Sequence, residues 1–274
     1  MYESYWGLKE KPFDDGAPSG SVFRSQGYEA ALAKLLYLVE GGGDCALLTA
    51  PAGCGKTLLA GSIKAELSAR GHTVAYVAAP FNDEAGLLSA LLSAMGDDAT
   101  SRAPGGELPE RLQKALADEA ASAAAAGHKV VMIVDEAQAL RSPQAIERLR
   151  MILGLETGDG GGDGGVLLML LARPEFAEAV DAAAEFAERI SVRARIEPMT
   201  DEESRLYMLH RLEAAGSTRG IFTEAAADLI ARSCGGSARR VNALCGMCLA
   251  MGYSMGVERV GPDVVGEVIA DLEV

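Results

Sequence analysis

The chain has 274 residues, 49% hydrophobic and 23% charged, which excludes a disordered protein and allows a large core with a smaller companion domain. Lys and Arg number 25 against 39 Asp and Glu, and the formal net charge of -14 argues against non-specific nucleic-acid binding by the whole surface, because phosphate contacts supply most of that affinity. No apolar run approaches membrane-spanning length, the first residues lack a secretory leader pattern, and five scattered cysteines fit a reducing compartment, so a cytoplasmic protein without membrane insertion is expected.

Residues 1–25 form an aromatic-rich, irregular arm; Tyr5, Trp6, Leu8 and Phe13 would be costly to leave in water, so the arm is expected to be ordered. An amphipathic helix over 28–40 stops at Gly41-Gly42-Gly43. A strand over 45–49 then leads into a glycine-containing loop and a helix to about 69, closed by Arg70-Gly71. The pattern continues with a strand over 73–79, helices at 83–95 and 107–126 split by Gly105-Gly106, and a strand over 129–134 that ends in Asp135-Glu136. A helix at 142–155, a Gly/Asp-rich connector at 157–165, a strand over 166–172, a helix at 174–184 and a strand over 191–196 complete the alternation. Strands alternating with helices imply a parallel sheet covered on both faces.

After Pro198 the pattern changes to helices alone, at 200–215, 223–233, 237–252 and 261–271. The expected domains are therefore the arm (1–25), an α/β domain (26–198) and a helical domain (199–274). Thr200 and Glu203 form a capping box, Thr223 caps the next helix, and Gly261-Pro262-Asp263 opens the last.

The loop Ala50-Pro51-Ala52-Gly53-Cys54-Gly55-Lys56-Thr57 sits between an apolar strand and an amphipathic helix, where a phosphate loop belongs. The loop from Pro51 through Leu58 would surround a phosphate chain with the backbone N–H groups of Ala52 to Leu58, Ala52, Gly53, Cys54 and Gly55 supplying the bend. Lys56 adds a point charge at the outer phosphates, Thr57 reaches a magnesium ion, and the helix N-terminus adds its dipole. Ala50 stands where a glycine is usual; this is mild if the sharp bends fall on Gly53 and Gly55.

Val130-Val131-Met132-Ile133-Val134-Asp135-Glu136 is the second signature, a buried strand with two carboxylates at its C-terminal end, where ligands of open α/β sheets sit. Asp135 would hold the magnesium and Glu136 would orient and polarise the attacking water, a role worth about 10²–10⁴ in rate. Arg189, before the fifth strand, could reach the γ-phosphate of a neighbouring subunit, with Arg193 nearby; Arg239 could report nucleotide state within its own chain. For each of these arginines a surface ion pair on an acidic protein is the alternative.

Three weaker signals have plainer readings. Cys245-Gly246-Met247-Cys248 reads as a packed helix face, because no second pair and no βαβ redox context accompany it. His72, His128 and His210 are isolated in sequence and suggest no metal site. The glycine-aspartate stretch 158–165 reads as a flexible connector.

Together the two nucleotide motifs, the helical tail and Gly235-Gly236-Ser237-Ala238-Arg239-Arg240 resemble an AAA+ ATPase. Tyr5-Trp6-Gly7-Leu8-Lys9-Glu10-Lys11-Pro12-Phe13 is similar to the opening of the general secretion pathway protein A (ExeA-like) group. So are Asp135-Glu136-Ala137-Gln138-Ala139-Leu140, Leu149-Arg150 with Leu155-Glu156-Thr157, Ala172-Arg173-Pro174-Glu175-Phe176, Arg189-Ile190 and Arg239 through Cys245. The resemblance implies a P-loop NTPase core of α/β class, a five-stranded parallel sheet of order 5-1-4-3-2, a C-terminal α-helical lid, and Mg-ATP as ligand. It also implies ATP-controlled oligomerisation and engagement of a protein partner. Arg173 departs from the group's polar residue, usually Gln, Gly154 replaces a usual Asn, and the glycine-rich loop replaces a shorter charged turn.

Four functions compete on this reading. A Mg-ATP-driven switch that assembles, takes Arg189 in trans and acts on a protein partner accounts for most motifs. A DNA-associated assembly factor of the transposition type shares the module but is opposed by the net charge. A small-molecule kinase fits the Asp135-Glu136 pair and helical tail less well, and a poorly hydrolysing scaffold is kept open by Arg173.

Overall fold

The computed structural model describes residues 2–14, 22–80, 84–96, 108–140, 142, 145–146, 149, 151 and 165–272. Five parallel strands form one sheet: β1 (Cys45–Thr49), β2 (Thr73–Ala78), β3 (Val130–Asp135), β4 (Val166–Ala172) and β5 (Ile190–Arg195). Their order is β2-β3-β4-β1-β5, the same order as 5-1-4-3-2 read from the other side. Composition explains the placement. β4 is an unbroken apolar run, and β1 and β3 are apolar up to Thr49 and Asp135 at their C-terminal ends; all three bury every residue, as central parallel strands must, while β2 and β5 are part-exposed and occupy the two edges.

The chain leaves β1 through α3 (Lys56–Ala69), which crosses β4 and β3 to reach β2. The face of α3 that packs inward carries Leu59, Ala60, Ile63 and Leu67 at three- and four-residue spacing. Between β2 and β3 lie α4 (Glu84–Ala94) and α5 (Leu108–Ala125), whose Leu87, Leu88, Leu91, Leu92, Leu112 and Leu116 join the core under the sheet. Before β1, α2 (Gln26–Gly41) buries Leu32, Leu35 and Val39; before β5 come the short α6 (Glu175–Asp181) and α7 (Ala184–Ala187), anchored by Phe176 and Phe186.

The chain separates into two compact units. Tyr28–Pro51 with Gly55–Ile196 is the α/β unit; Met1–Gly27, Ala52–Cys54 and Glu197–Val274 form the other. The second unit contains α8 (Asp201–Ala214), α9 (Glu224–Cys234), α10 (Ala238–Met255) and α11 (Pro262–Leu272). Thr200 and Glu203 close a reciprocal capping box on α8, with N···O distances of 3.1 and 2.9 Å. Thr223 accepts from the Ala226 N–H at 3.2 Å to cap α9; with alanine at that third position there is no reciprocal bond.

The N-terminal arm belongs to the helical unit's core. Trp6, Leu8 and Phe13 bury against Tyr207, Leu212, Phe222, Leu244 and Leu249, and the Trp6 indole N–H donates to the Leu249 carbonyl at 2.9 Å. Buried Arg211 donates through Nε to the Pro12 carbonyl at 2.6 Å. Arg219 stacks over the Trp6 ring, 5.5 Å from its centroid, and donates to the Tyr5 carbonyl at 2.8 Å.

Several sequence expectations shift. The arm is not irregular throughout: Glu3–Trp6 makes one helical turn, α1, closed by Gly7. Strand boundaries move by one residue, so Asp135 ends β3 instead of following it. An unanticipated 3₁₀ turn, Ala137–Leu140, follows the Asp135-Glu136 pair. Ala145, Ile146, Leu149 and Met151 are helical, whereas the rest of the expected helix at 142–155, Gly154 and the connector at 157–164 lie outside the described residues. His72 and His128 are not isolated: each precedes adjacent strands, their rings meet edge to face at 5.6 Å, and His72 Nδ1 accepts the Lys129 N–H at 3.0 Å. Burial, with His128 alongside, lowers the His72 pKa. Cys245 and Cys248 are buried in the face of α10.

Candidate nucleotide site

The loop after β1 is shaped by where the strand ends and the helix begins. Ala50 is buried and its N–H donates to the Ala172 carbonyl at 3.1 Å, which extends the β1–β4 ladder by one residue before the chain turns away. Gly53 (φ 78°) and Gly55 (φ 89°) take the left-handed conformations; Ala50 does not, so alanine is tolerated there. At Gly55 only conformation demands glycine, since an added Cβ would meet nothing within 4 Å. At Gly53 space demands it too, because a Cβ would lie 2.6 Å from Ser237 Oγ.

Helix α3 begins at Lys56 with no acidic residue in its first turn and no side-chain cap on its first N–H groups. Those donors and the aligned peptide dipoles face the loop and favour an anion. Lys56 is buried, and its ammonium donates to the Ala50 carbonyl at 3.1 Å and the Pro51 carbonyl at 3.5 Å. Thr57 is exposed, and its hydroxyl donates to Asp135 Oδ2 at 2.7 Å, although β4 lies between β1, which leads to Thr57, and β3, which ends in Asp135.

Asp135 is 1% exposed and held from three sides. Besides Thr57, its Oδ2 accepts from the Tyr76 hydroxyl at 3.2 Å and its Oδ1 from the Glu136 N–H at 2.8 Å. Tyr76 belongs to edge strand β2; burial first, then the Asp135 charge, push its phenol up to about 12. Glu136 has φ 55°, the one non-glycine residue in the left-handed region among the described residues. Its Oε2 accepts from the Gln138 amide, whose Oε1 accepts from the Arg173 N–H at 3.1 Å. The donor set suits a small hard cation: oxygens of Thr57 and Asp135 stand together, the kind of ligand magnesium prefers. No group of three or more His, Cys, Asp or Glu forms a metal cluster among the described residues.

The remaining expected site residues lie as follows. Pro51 and Cys54 are half-buried, Ala52 is exposed, and Leu58 is 40% exposed. The Arg239 N–H donates to the Gly53 carbonyl at 3.4 Å while its side chain is exposed. Arg189 is elsewhere. Ile190 at the start of β5 pairs with Cys45 at the start of β1, so Arg189 sits at the N-terminal edge of the sheet, on the order of 15 Å along the strands from the phosphate loop. There it lines a polar pocket with Asp44, Glu185, Glu188 and Ser191. Arg193 pairs with Asp181 at 2.8 Å, the surface ion pair that competes with a functional role. Tyr76 and Gln138 were given no role by sequence reasoning; Gln138 was visible as the fourth residue of Asp-Glu-Ala-Gln, Tyr76 only through the β2–β3 pairing.

The family description "AAA domain" matches residues 39–180, more than half of the chain. This chain belongs to the AAA domain family. It is 29% identical over 269 residues to general secretion pathway protein A of Aeromonas hydrophila, covering 95% of this chain and 46% of that protein. The chain thus spans less than half the length of that relative. Two solved structures share the fold. One is the Aeropyrum pernix ORC2 protein in ADPNP-ADP complexes, with TM-score 0.68, 24% identity and coverage of 96% of this chain and 71% of that one. The other is Drosophila ORC bound to DNA, with TM-score 0.73, 15% identity and coverage of 100% and 66%. No described helix of this AAA domain protein is long and apolar enough to cross a membrane.

Proposed function

We propose that this AAA domain protein binds Mg-ATP and hydrolyses it to ADP and phosphate, and that the cycle drives self-assembly and engagement of a protein partner. The observation that carries the reading is the 2.7 Å contact between Thr57 and Asp135 at the first turn of α3. It supports a cation seat at the start of α3, next to a loop whose two left-handed glycines and uncapped helix N-terminus suit an anion, so that a metal-bound triphosphate would meet both at once.

The residues divide the work. The N–H groups from Ala52 to Leu58 hold phosphate oxygens, and Lys56 turns its ammonium from the Ala50 and Pro51 carbonyls to the outer phosphates. Thr57 and Asp135 hold magnesium, which when bound neutralises charge on the phosphate oxygens. Glu136 accepts a proton from water as the new bond forms between water oxygen and the γ-phosphorus and the bond to the ADP oxygen breaks. Arg189 acts on the γ-phosphate of a neighbouring subunit, and Arg239 reports nucleotide state in its own chain. The named complexes of the Aeropyrum pernix protein support a nucleotide. The Drosophila structure raises DNA as a partner, which a net charge of -14 disfavours.

Calorimetry with Mg-ATP and specific activity across a wide dilution series test the reading together. Saturable binding with activity per subunit that climbs with protein concentration is expected. Absence of binding heat, or no phosphate release at any concentration, would overturn it.

A further inference from the structure

We infer that Gln138 is a positioning residue that aims the Glu136 carboxylate and ties its aim to the end of β4. The inference rests on the hydrolase reading above. Three features converge on it. Glu136 stands in the left-handed region, a strained conformation for a residue with a Cβ, so its side chain leaves the backbone in an unusual direction that needs support. The Gln138 side chain supplies that support, donating from Nε2 to Glu136 Oε2. The amide cannot turn over without loss: its Oε1 accepts the backbone N–H of Arg173, a group that can only donate, so Nε2 must face the carboxylate.

The geometry has two consequences. With Oε2 held by Gln138, the other oxygen of Glu136 is left to take the proton of water. Because the anchor at the far side is a backbone N–H one residue beyond β4, the aim of Glu136 depends on where that strand end lies and not on the side chain at position 173. The exposed Arg173 side chain is therefore dispensable for this link. In the 3₁₀ turn over Ala137–Leu140 the Ala139 N–H donates to the Glu136 carbonyl at 3.0 Å, which fixes the backbone that joins Glu136 to Gln138.

Gln138→Glu is the discriminating variant. It keeps the length and the acceptor for the Arg173 N–H, but replaces the donor facing Glu136 with a second carboxylate. Full-length protein is compared with Gln138→Glu, Gln138→Leu, Arg173→Ala and the Arg173→Ala, Gln138→Leu double variant by steady-state phosphate release, with Kd for Mg-ATP by calorimetry. Expected are kcat values lower by about tenfold or more in both Gln138 variants, the usual scale for losing a partner that orients a reacting group. Kd and KM should stay within about twofold of the parent, and adding Gln138→Leu to Arg173→Ala should cost the same fold in kcat as adding it to the parent. A merely structural Gln138 would leave kcat alone or move Kd and kcat together, and either result overturns the inference while leaving the hydrolase reading intact. If the parent itself releases no phosphate, the hydrolase reading falls and this inference falls with it.

Discussion

The two edges of the sheet are built from the same five strands and differ completely in chemistry. At the C-terminal edge stand Lys56, Thr57, Asp135 and Glu136, next to the glycine loop and the start of α3. At the N-terminal edge Arg189 stands among Asp44, Glu185 and Glu188. Strand polarity enforces the split, because in a parallel sheet every strand delivers its following loop, and each following helix its positive end, to the same side. An arginine that precedes its strand is delivered to the other side. If Arg189 touches a phosphate chain, that chain belongs to another molecule.

The largest effect should come from removing the residue proposed to act on a neighbouring molecule. Arg189→Ala should lower kcat by about 10³ or more at high protein concentration, with Mg-ATP affinity unchanged. A matching loss of affinity in calorimetry would place Arg189 on its own chain's nucleotide and erase the contrast between the edges. Next, Glu136→Gln should lower turnover by about 10²–10⁴ yet retain bound ATP, measurable as unhydrolysed nucleotide after gel filtration. Lys56→Ala removes a buried ammonium and should weaken Mg-ATP binding by about 2–5 kcal/mol, read as a lost or much shallower isotherm. Mixing Lys56→Ala with Arg189→Ala subunits sharpens the comparison further: each lacks what the other keeps, so the mixture should recover part of the activity that neither shows alone.

The smallest effect should be at Tyr76. Tyr76→Phe removes one hydrogen bond to Asp135, worth about 1 kcal/mol, and should raise the Mg2+ concentration for half-maximal activity by about tenfold or less. The phenol's pKa is raised to about 12, so its contribution is complete below pH 10 and is lost only as pH climbs through the folded value. The Mg2+ requirement should therefore show no break from this residue between pH 7 and 10. A break that disappears in Tyr76→Phe would contradict that assignment.

Much of this was legible because the signals were local. A seven-residue apolar run such as Val166–Ala172 has one comfortable home, the centre of a parallel sheet, and Gly53 and Gly55 mark where the chain must bend into α3. The capping box at Thr200 was equally readable, since both partners lie within four residues. What escaped depends on pairing between distant segments. His72 meets His128 because Thr73 is in register with Val130, and Tyr76 reaches Asp135 for the same reason. Gln138 was in view, but its partner is a backbone group 35 residues away, which no spacing rule announces.

The indole of Trp6 and the carbonyl of Leu249 are joined across 243 positions of the chain. A ribosome emits the first long before the second, so the tryptophan has to wait while the whole α/β unit is synthesised and has the chance to fold on its own short-range contacts. Maturation of this molecule should accordingly proceed in a fixed sequence, with the sheet assembled early and the aromatic clasp fastened late.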